Sequence, residues 1–340
     1  MKLKELGEGK ILSWIGEFLG ESKRVPGVTV GVGDDAAVLR IGRTYLAACS
    51  DMIHDGHDIY KGMTPYQAGR KVAVVNFSDL ASMGAQPTGF LLSVSISPKE
   101  EFSKFKDIMR GVEAACREYG AHFLGGDMDK GDVLIMDGCA LGTIPHRREI
   151  MTRKGARPGD IVAVTGYLGS AACGWQVLQK GLDLKKFEIE ERTKIEKRIV
   201  NASLEPKARV KEGRILAKSG AVTSCMDISD GLGASLGWLR GKEGGRCGFD
   251  IYEEKMPIRK EFHRVCDRFR LDKELLAYHI GDDFELLCTI KPKKWPALKK
   301  KLPGLKEIGI VTKGNKIKVI KKDGRSTDLK ASGYDHFSNS

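Results

Sequence analysis

The sequence predicts an α/β protein of two domains. Three observations carry that expectation. The chain has 340 residues, more than one compact core ordinarily serves. Short apolar runs that end in glycine and aspartate alternate with capped helical stretches, the pattern of repeated strand–helix units. Around residues 146–160 the composition turns basic and turn-rich, with His146-Arg147-Arg148, Arg153-Lys154 and Arg157-Pro158-Gly159-Asp160. That shift sets a boundary near residue 150 and divides the chain into 1–149 and 150–340.

The elements follow in order. Leu3, Leu6, Ile11, Trp14, Ile15 and Phe18 recur at helical spacing over 2–19. Strand-like segments occupy 28–32, 36–40 and 44–49, and a loop rich in Asp and His runs to Gly62. Thr64-Pro65-x-Gln67 combines a capping box with proline at the first helical position, so a helix starts there. It runs to about Met83, where Gly84 suits the C-terminal cap, and its middle (Val72-Ala73-Val74-Val75) is apolar on most faces and therefore buried. A strand at 90–96 leads into Ser97-Pro98-x-Glu100, a second capping box, and a helix to Gly120. Strands at 121–124 and 133–143 complete the first half. In the second half a strand at 161–165 precedes helices near 168–180, 190–201 and 206–219. A strand at 222–226 then ends in Asp227-Ile228-Ser229-Asp230-Gly231 at the mouth of another helix. Strands at 246–251 and 284–290 flank helices over 259–279, and the tail holds a short helix and strands near 306–311 and 316–320.

Bulk properties remove several function classes. The longest apolar runs are too short to cross a bilayer, and the charged start Met1-Lys2-Leu3-Lys4-Glu5 lacks the apolar core of a signal peptide. The expectation is a cytoplasmic protein with no membrane partner. Eight cysteines without a Cys-x-x-Cys spacing read as reduced core residues. A net charge of +12 suits anionic small substrates or nucleic acid. The densest basic run, Lys291 to Lys301, reads as the solvated face of a short helix with Trp295 and Leu298 turned inward. No zinc-finger, RNP or basic-zipper signature accompanies it, so no nucleic-acid partner is expected.

The chemistry sits in aspartates. Gly33-Asp34-Asp35-Ala36-Ala37 places two carboxylates side by side after an apolar segment. Adjacent carboxylates repel unless a cation offsets them, and Mg²⁺ takes oxygen ligands. For any one such pair alone, an exposed acidic turn is the better explanation. The pattern recurs, however: Asp51, Asp79, Asp127, Asp227 with Asp230, and Asp282-Asp283 all sit at expected segment ends, most beside Gly or Ser. Gly31-x-Gly33-x-x-Ala36 matches a dinucleotide fingerprint, but Ala37–Arg40 reads as strand where that motif needs a helix. No Walker A spacing exists. If the protein handles phosphate, it does so through a metal such as Mg²⁺ rather than a glycine cradle. Ser229 and the first amides of its helix suit a phosphate, or a plain cap. Arg153 reads either as a phosphate ligand or as a solvated linker residue. His54 and His57 read either as substrate-orienting groups or as an exposed loop.

Taken together, these stretches resemble one family. They include Gly33-Asp34-Asp35-Ala36-Ala37, Ser50-Asp51 and Asn76-Phe77-Ser78-Asp79-Leu80-Ala81-Ser82-Met83-Gly84-Ala85-x-Pro87. In order after these come Gly125-Gly126-Asp127, Thr152-Arg153-x-Gly155, Asp227-Ile228-Ser229-Asp230-Gly231-Leu232, Gly281-Asp282-Asp283-Phe284-Glu285-Leu286 and Gly333-Tyr334-Asp335-His336-Phe337. The set resembles the thiamine-monophosphate kinases, within the superfamily of aminoimidazole ribonucleotide synthetase and selenophosphate synthetase, and Gly62-Met63-Thr64-Pro65-x-Gln67-Ala68 is similar to the archaeal branch. The resemblance implies a synthetase-type fold whose N-terminal strands form a barrel in a homodimer, followed by a C-terminal α/β domain. It implies γ-phosphoryl transfer from ATP to thiamine monophosphate. By that resemblance Asp34, Asp35, Ser50, Asp51, Asp79, Asp127, Asp227 and Asp230 serve Mg²⁺, with Asp79, Asp127 and Asp230 central to catalysis. Gly126, Asp127, Arg153 and Ser229 contact ATP, and His57, Asp58, Asp282, Tyr334 and Phe337 face the substrate. Departures from the family pattern fall at Cys49, where a hydroxyl is usual, at Asp58, where a histidine is usual, and at Asp282, one methylene shorter than the usual glutamate. The alternatives are another ATP-using synthetase of the superfamily, or a nucleotide-binding protein without turnover.

Overall fold

The computed structural model describes residues 3–19, 26–241 and 247–334. Helices α1 (Leu3–Leu6) and α2 (Glu8–Phe18) replace the single expected helix, because Gly7 breaks it with φ 72°. Strands β1 (Val28–Val30), β2 (Ala37–Ile41) and β3 (Thr44–His54) follow, then α3 (Pro65–Ser82), β4 (Gln86–Ile96), α4 (Phe102–Tyr119), β5 (His122–Lys130) and β6 (Ile135–Ile144). These strands form one sheet in the order β1-β2-β3-β6-β4-β5, antiparallel except for the β4–β5 edge. The second half supplies β7 (Ile161–Val164), α5 (Ser170–Gln179), α6 (Ile189–Ile195), α7 (Asn201–Leu204), α8 (Val210–Ser219), β8 (Val222–Asp227), α9 (Leu232–Arg240) and β9 (Gly248–Tyr252). It closes with α10 (Lys260–Phe269), β10 (Leu286–Ile290), α11 (Trp295–Lys301), β11 (Lys306–Thr312), β12 (Ile317–Ile320) and β13 (Ser326–Asp328). Its sheet runs β13-β12-β9-β11-β7-β10-β8. The mixed α/β class is as expected. The rejected dinucleotide motif indeed runs into strand β2, and all eight cysteines are free, seven of them buried.

Of the boundaries that differ from expectation, two follow from strand pairing and one from a local turn. β3 continues five residues past 49 because β6 pairs with it as far as His54↔Ile135. β5 runs through Gly125-Gly126-Asp127 to Lys130, because β4 offers a parallel partner as far as Ile96. Asp51 and Asp127 therefore lie within strands rather than at their ends. The Ser97 box does not form: Ser97 Oγ accepts from Lys99 N in a turn, and α4 starts at Phe102.

Helix α3 is the axis on which the two halves meet. Its capping box forms as the sequence predicts, with Thr64 and Gln67 exchanging hydrogen bonds. From Val72 to Val75 it is buried on every face. α4 crosses it at van der Waals contact, since a Cβ at Gly69 or Gly111 would fall 2.0 Å from a carbonyl of the other helix. On the opposite flank α8 and β8 of the second half pack against it, with Arg214 of α8 bonded to the buried Glu149 at 2.7 Å. One hydrophobic core consequently includes Phe77 and Leu80 of α3 together with Cys225 and Leu286 of the second sheet.

Candidate active site

Asp79 extends from α3 toward the other half, Asp227 ends β8, and Asp35 precedes β2. One carboxylate oxygen from each lies within 4.8 Å of the others. Two unit negative charges at that separation repel by roughly 3 kcal/mol at an effective dielectric of about 20. Burial pushes the Asp79 carboxyl well above its usual range, and Asp227 and Asp35 add to the shift. Burial, then Asp35, pushes Asp227 up to about 7, although the Ser78 hydroxyl donates to its Oδ2 at 2.6 Å. Arg153 binds Asp35 Oδ1 through Nε at 2.7 Å, while Asp35 Oδ2 is buried and has no hydrogen-bond partner among the described residues. Three oxygen donors, mutual repulsion and one orphaned buried oxygen fit a hard divalent cation such as Mg²⁺.

A cleft opens beside this cluster. Asp51, His57, Asp58, Tyr60, Trp175, Ser229, Asp230, Asp282 and Tyr334 line it. Asp51 is held through its backbone: Asn76 of α3 accepts from its N–H and donates to its C=O, both at 3.0 Å, where β2 no longer reaches β3. The protein crowding around its carboxyl, then the charges of Asp58 and Asp230, push it up to about 6. Asp58 is fixed by the His54 N–H on its Oδ2 at 3.0 Å. The tail brings Tyr334 over Asp230, whose carbonyl accepts from the Tyr334 N–H at 3.1 Å.

Asp282 sits on a strained turn. Asp282 has φ 65° and Phe284 φ 49°, a region that non-glycine residues enter at a cost of about 1–3 kcal/mol each. Its N–H donates to the Ser229 carbonyl at 2.7 Å, and its Oδ2 accepts from Lys71 Nζ at 2.6 Å and from the Tyr60 hydroxyl. The next residue, Asp283, turns away and caps α5, accepting from Gly169 N at 2.7 Å and Ala171 N at 3.3 Å. Burial pushes it up to about 8. A carboxyl raised on folding favours the folded state below its unfolded value of about 4, and that contribution is lost as the pH rises through 8. The stability difference between wild type and Asp283→Asn is therefore expected to shrink from pH 5 to pH 9 in thermal unfolding. A constant difference would contradict this account.

Several expected site residues lie elsewhere. Ser50 does not join the cluster: strand alternation puts it on the opposite face of β3 from Cys49, and its Oγ donates to Asp137 at 3.0 Å. Gly126 and Asp127 lie exposed on the edge strand β5. Asp127 pairs with Ser93, an exposed position between buried Leu92 and Val94, so it faces away from α3. Asp34 is taken up as a clasp, its carboxylate accepting from the Arg153 N–H at 3.0 Å. Burial and Asp35 push it up to about 6. Phe337 lies outside the described residues. The sequence does not single out Tyr60, Lys71 or Trp175 as site residues. Only Lys71, a lysine inside an apolar helical run, carried a sequence signal.

With this geometry in view, likeness to known proteins becomes informative. Residues 33–144 match the AIR synthase related protein N-terminal domain, and residues 157–322 match the corresponding C-terminal domain. The thiamine-monophosphate kinase of Buchnera aphidicola subsp. Schizaphis graminum is 31% identical over 339 residues, covering 98% of this chain and 99% of that protein. The chain belongs to the thiamine-monophosphate kinase family. Its relative in Methanocaldococcus jannaschii is 32% identical over 320 residues, covering 91% of this chain and 93% of its own. A solved structure of this family, AaThiL complexed with AMPPCP and TMP, superposes with a TM-score of 0.83 at 28% identity, covering 99% of each chain. The family fold therefore extends over both sheets. Among the described residues, no helix is long and apolar enough to cross a membrane.

Proposed function

We propose that this protein transfers the γ-phosphoryl group of ATP to the phosphate of thiamine monophosphate, giving thiamine diphosphate and ADP. The meeting of Asp35, Asp79 and Asp227 next to the cleft carries the reading, together with the family's solved complex with an ATP analogue and TMP. In the transfer, an oxygen of the acceptor phosphate forms a bond to the γ-phosphorus. The bond from that phosphorus to the β–γ bridging oxygen breaks, and ADP leaves. The acceptor is already an anionic nucleophile, so no strong general base is required, and the work is positioning and charge neutralisation. Asp35, Asp79 and Asp227 would hold Mg²⁺, with Asp51 and Asp230 on the cleft side; the ion supplies the positive charge that brings two polyanions together. By the family resemblance, Arg153 and Ser229 would contact the polyphosphate. Asp58, Asp282, His57 and Tyr334 form the wall on which the acceptor would be oriented.

The test is ADP release against a panel of phosphate monoesters, with and without Mg²⁺. The expected result is stimulation by thiamine monophosphate that requires Mg²⁺. Stimulation by another monoester alone would overturn the substrate while keeping the phosphotransferase, and ATP binding without ADP release would favour a nucleotide sensor.

We read residues 1–149 and 150–340 as the two domains, one around each sheet, and the molecule as a homodimer. The support for a dimer is the face of the first sheet away from α3, which leaves Ile41, Met52, Leu91 and Leu124 between 37% and 58% exposed. Apolar residues from several adjacent strands ordinarily have a partner. Leu124→Asp is expected to halve the mass measured by light scattering; an unchanged mass in variant and wild type would remove this surface from the interface.

A further inference from the structure

Lys71 is 1% exposed, in the middle of a buried helix. A lysine so placed must be charge-paired or hydrogen-bonded, because an isolated buried ammonium is too costly to keep. Its partners are not scattered. Nζ lies 2.6 Å from Asp282 Oδ2 and 3.0 Å from the Asp58 carbonyl, and it stands 4.1 Å from the centre of the Tyr60 ring. Asp58, Tyr60 and Asp282 all line the cleft, whereas Lys71 stands behind them. Two partners come from the loop before α3 and the third from the strained turn of the other half. The Tyr60 hydroxyl donates to the same Asp282 oxygen, so both donors hold Oδ2 and none of the described residues donates to Oδ1.

We propose that Lys71 is a positioning residue for the acceptor side of the cleft. It holds the Asp282 carboxylate in one orientation, with Oδ1 presented to the acceptor, and locks the 56–62 loop to the 281–284 turn across the two halves of the chain. The strain at Asp282 and Phe284 is sustained by this contact and by the Asp282 N–H on Ser229. The inference rests on the phosphotransferase reading and adds that acceptor affinity is set by a residue that does not touch the acceptor.

Steady-state kinetics of Lys71→Met, which keeps an unbranched apolar chain one atom shorter and removes the charge, test this. The acceptor is whichever phosphate monoester of the panel the wild type turns over, thiamine monophosphate first. The expected result is a KM for the acceptor raised roughly 10- to 100-fold, with KM for ATP and the Mg²⁺ activation curve unchanged. Melting temperature is measured alongside, because the variant strands the Asp282 charge. In Lys71→Met with Asp282→Asn that charge is gone, so the melting temperature is expected to recover while the acceptor KM stays high. A single variant with lowered melting temperature but wild-type acceptor KM would overturn the inference and leave the phosphotransferase reading standing. A wild type that turns over no monoester would overturn that reading and this inference with it.

Discussion

Asp227→Asn and Asp79→Asn are each expected to lower ADP release by at least about 100-fold, the loss seen when one preorganised electrostatic contact to a reacting centre is removed, with the circular-dichroism spectrum unchanged. Asparagine keeps the shape of the side chain, so the buried packing around α3 and β8 is preserved. What disappears is one of three charges that together suit a divalent cation. The same variants separate metal binding from folding. A ligand that binds only the folded state adds about 2.7 kcal/mol of stability at a hundredfold excess over its Kd. Mg²⁺ is therefore expected to raise the melting temperature of wild type and to do so far less in either variant. In the absence of Mg²⁺ the variants should be at least as stable as wild type, because each removes a buried charge that its neighbours repel. Normal turnover in both variants would dispose of the carboxylate cluster as the metal site.

Gly281→Ala should disable the protein from a position that bears no functional group. A Cβ there would fall 1.6 Å from the Ser229 carbonyl oxygen, a backbone atom fixed at the mouth of α9 that also accepts from Asp282 N. One of the two segments must move. Forcing extra atoms into a packed site costs about 1–3 kcal/mol or more, and a displacement near 1 Å at a reacting centre costs about 100-fold in rate. Both Ser229 and Asp282 would shift; on the proposed reading they serve the nucleotide and the acceptor, so KM for both substrates is expected to rise and kcat to fall. Gly16→Ala is the control. It lies in α2 with nothing within 4 Å of the new methyl, and alanine in a helix is favoured over glycine by about 1 kcal/mol. A Gly281→Ala enzyme as active as that control would show that the close approach is not needed.

Much of the site was legible in the sequence because acidic residues beside glycine and serine recur at unusual density. Asp35, Asp79 and Asp227 were all singled out, and the structure brings them together. So were Asp51, Asp58, Asp230, Asp282 and Tyr334, which share the cleft. Ser50 and Asp127 lie apart from this group for a common reason. The family resemblance groups Ser50 with Asp51, and adjacent strand residues face opposite sides of a sheet. Asp127 was placed at a strand end, yet pairing with β4 carries the strand through it and directs it away from α3.

The sequence by itself determined the α/β class, the capped helix at Thr64, the glycine-terminated elements and the choice of aspartate as the working side chain. Caps, periodicity and turn residues act over a few positions, so they can be read from a short window. Only the tertiary structure decided which aspartates meet. Positions 35, 79 and 227 lie far apart in the chain and converge because both sheets pack against α3. The partners of Lys71, at 58, 60 and 282, are likewise chosen by that packing. A buried charge must find its counterion wherever the fold brings one, and no local rule names it.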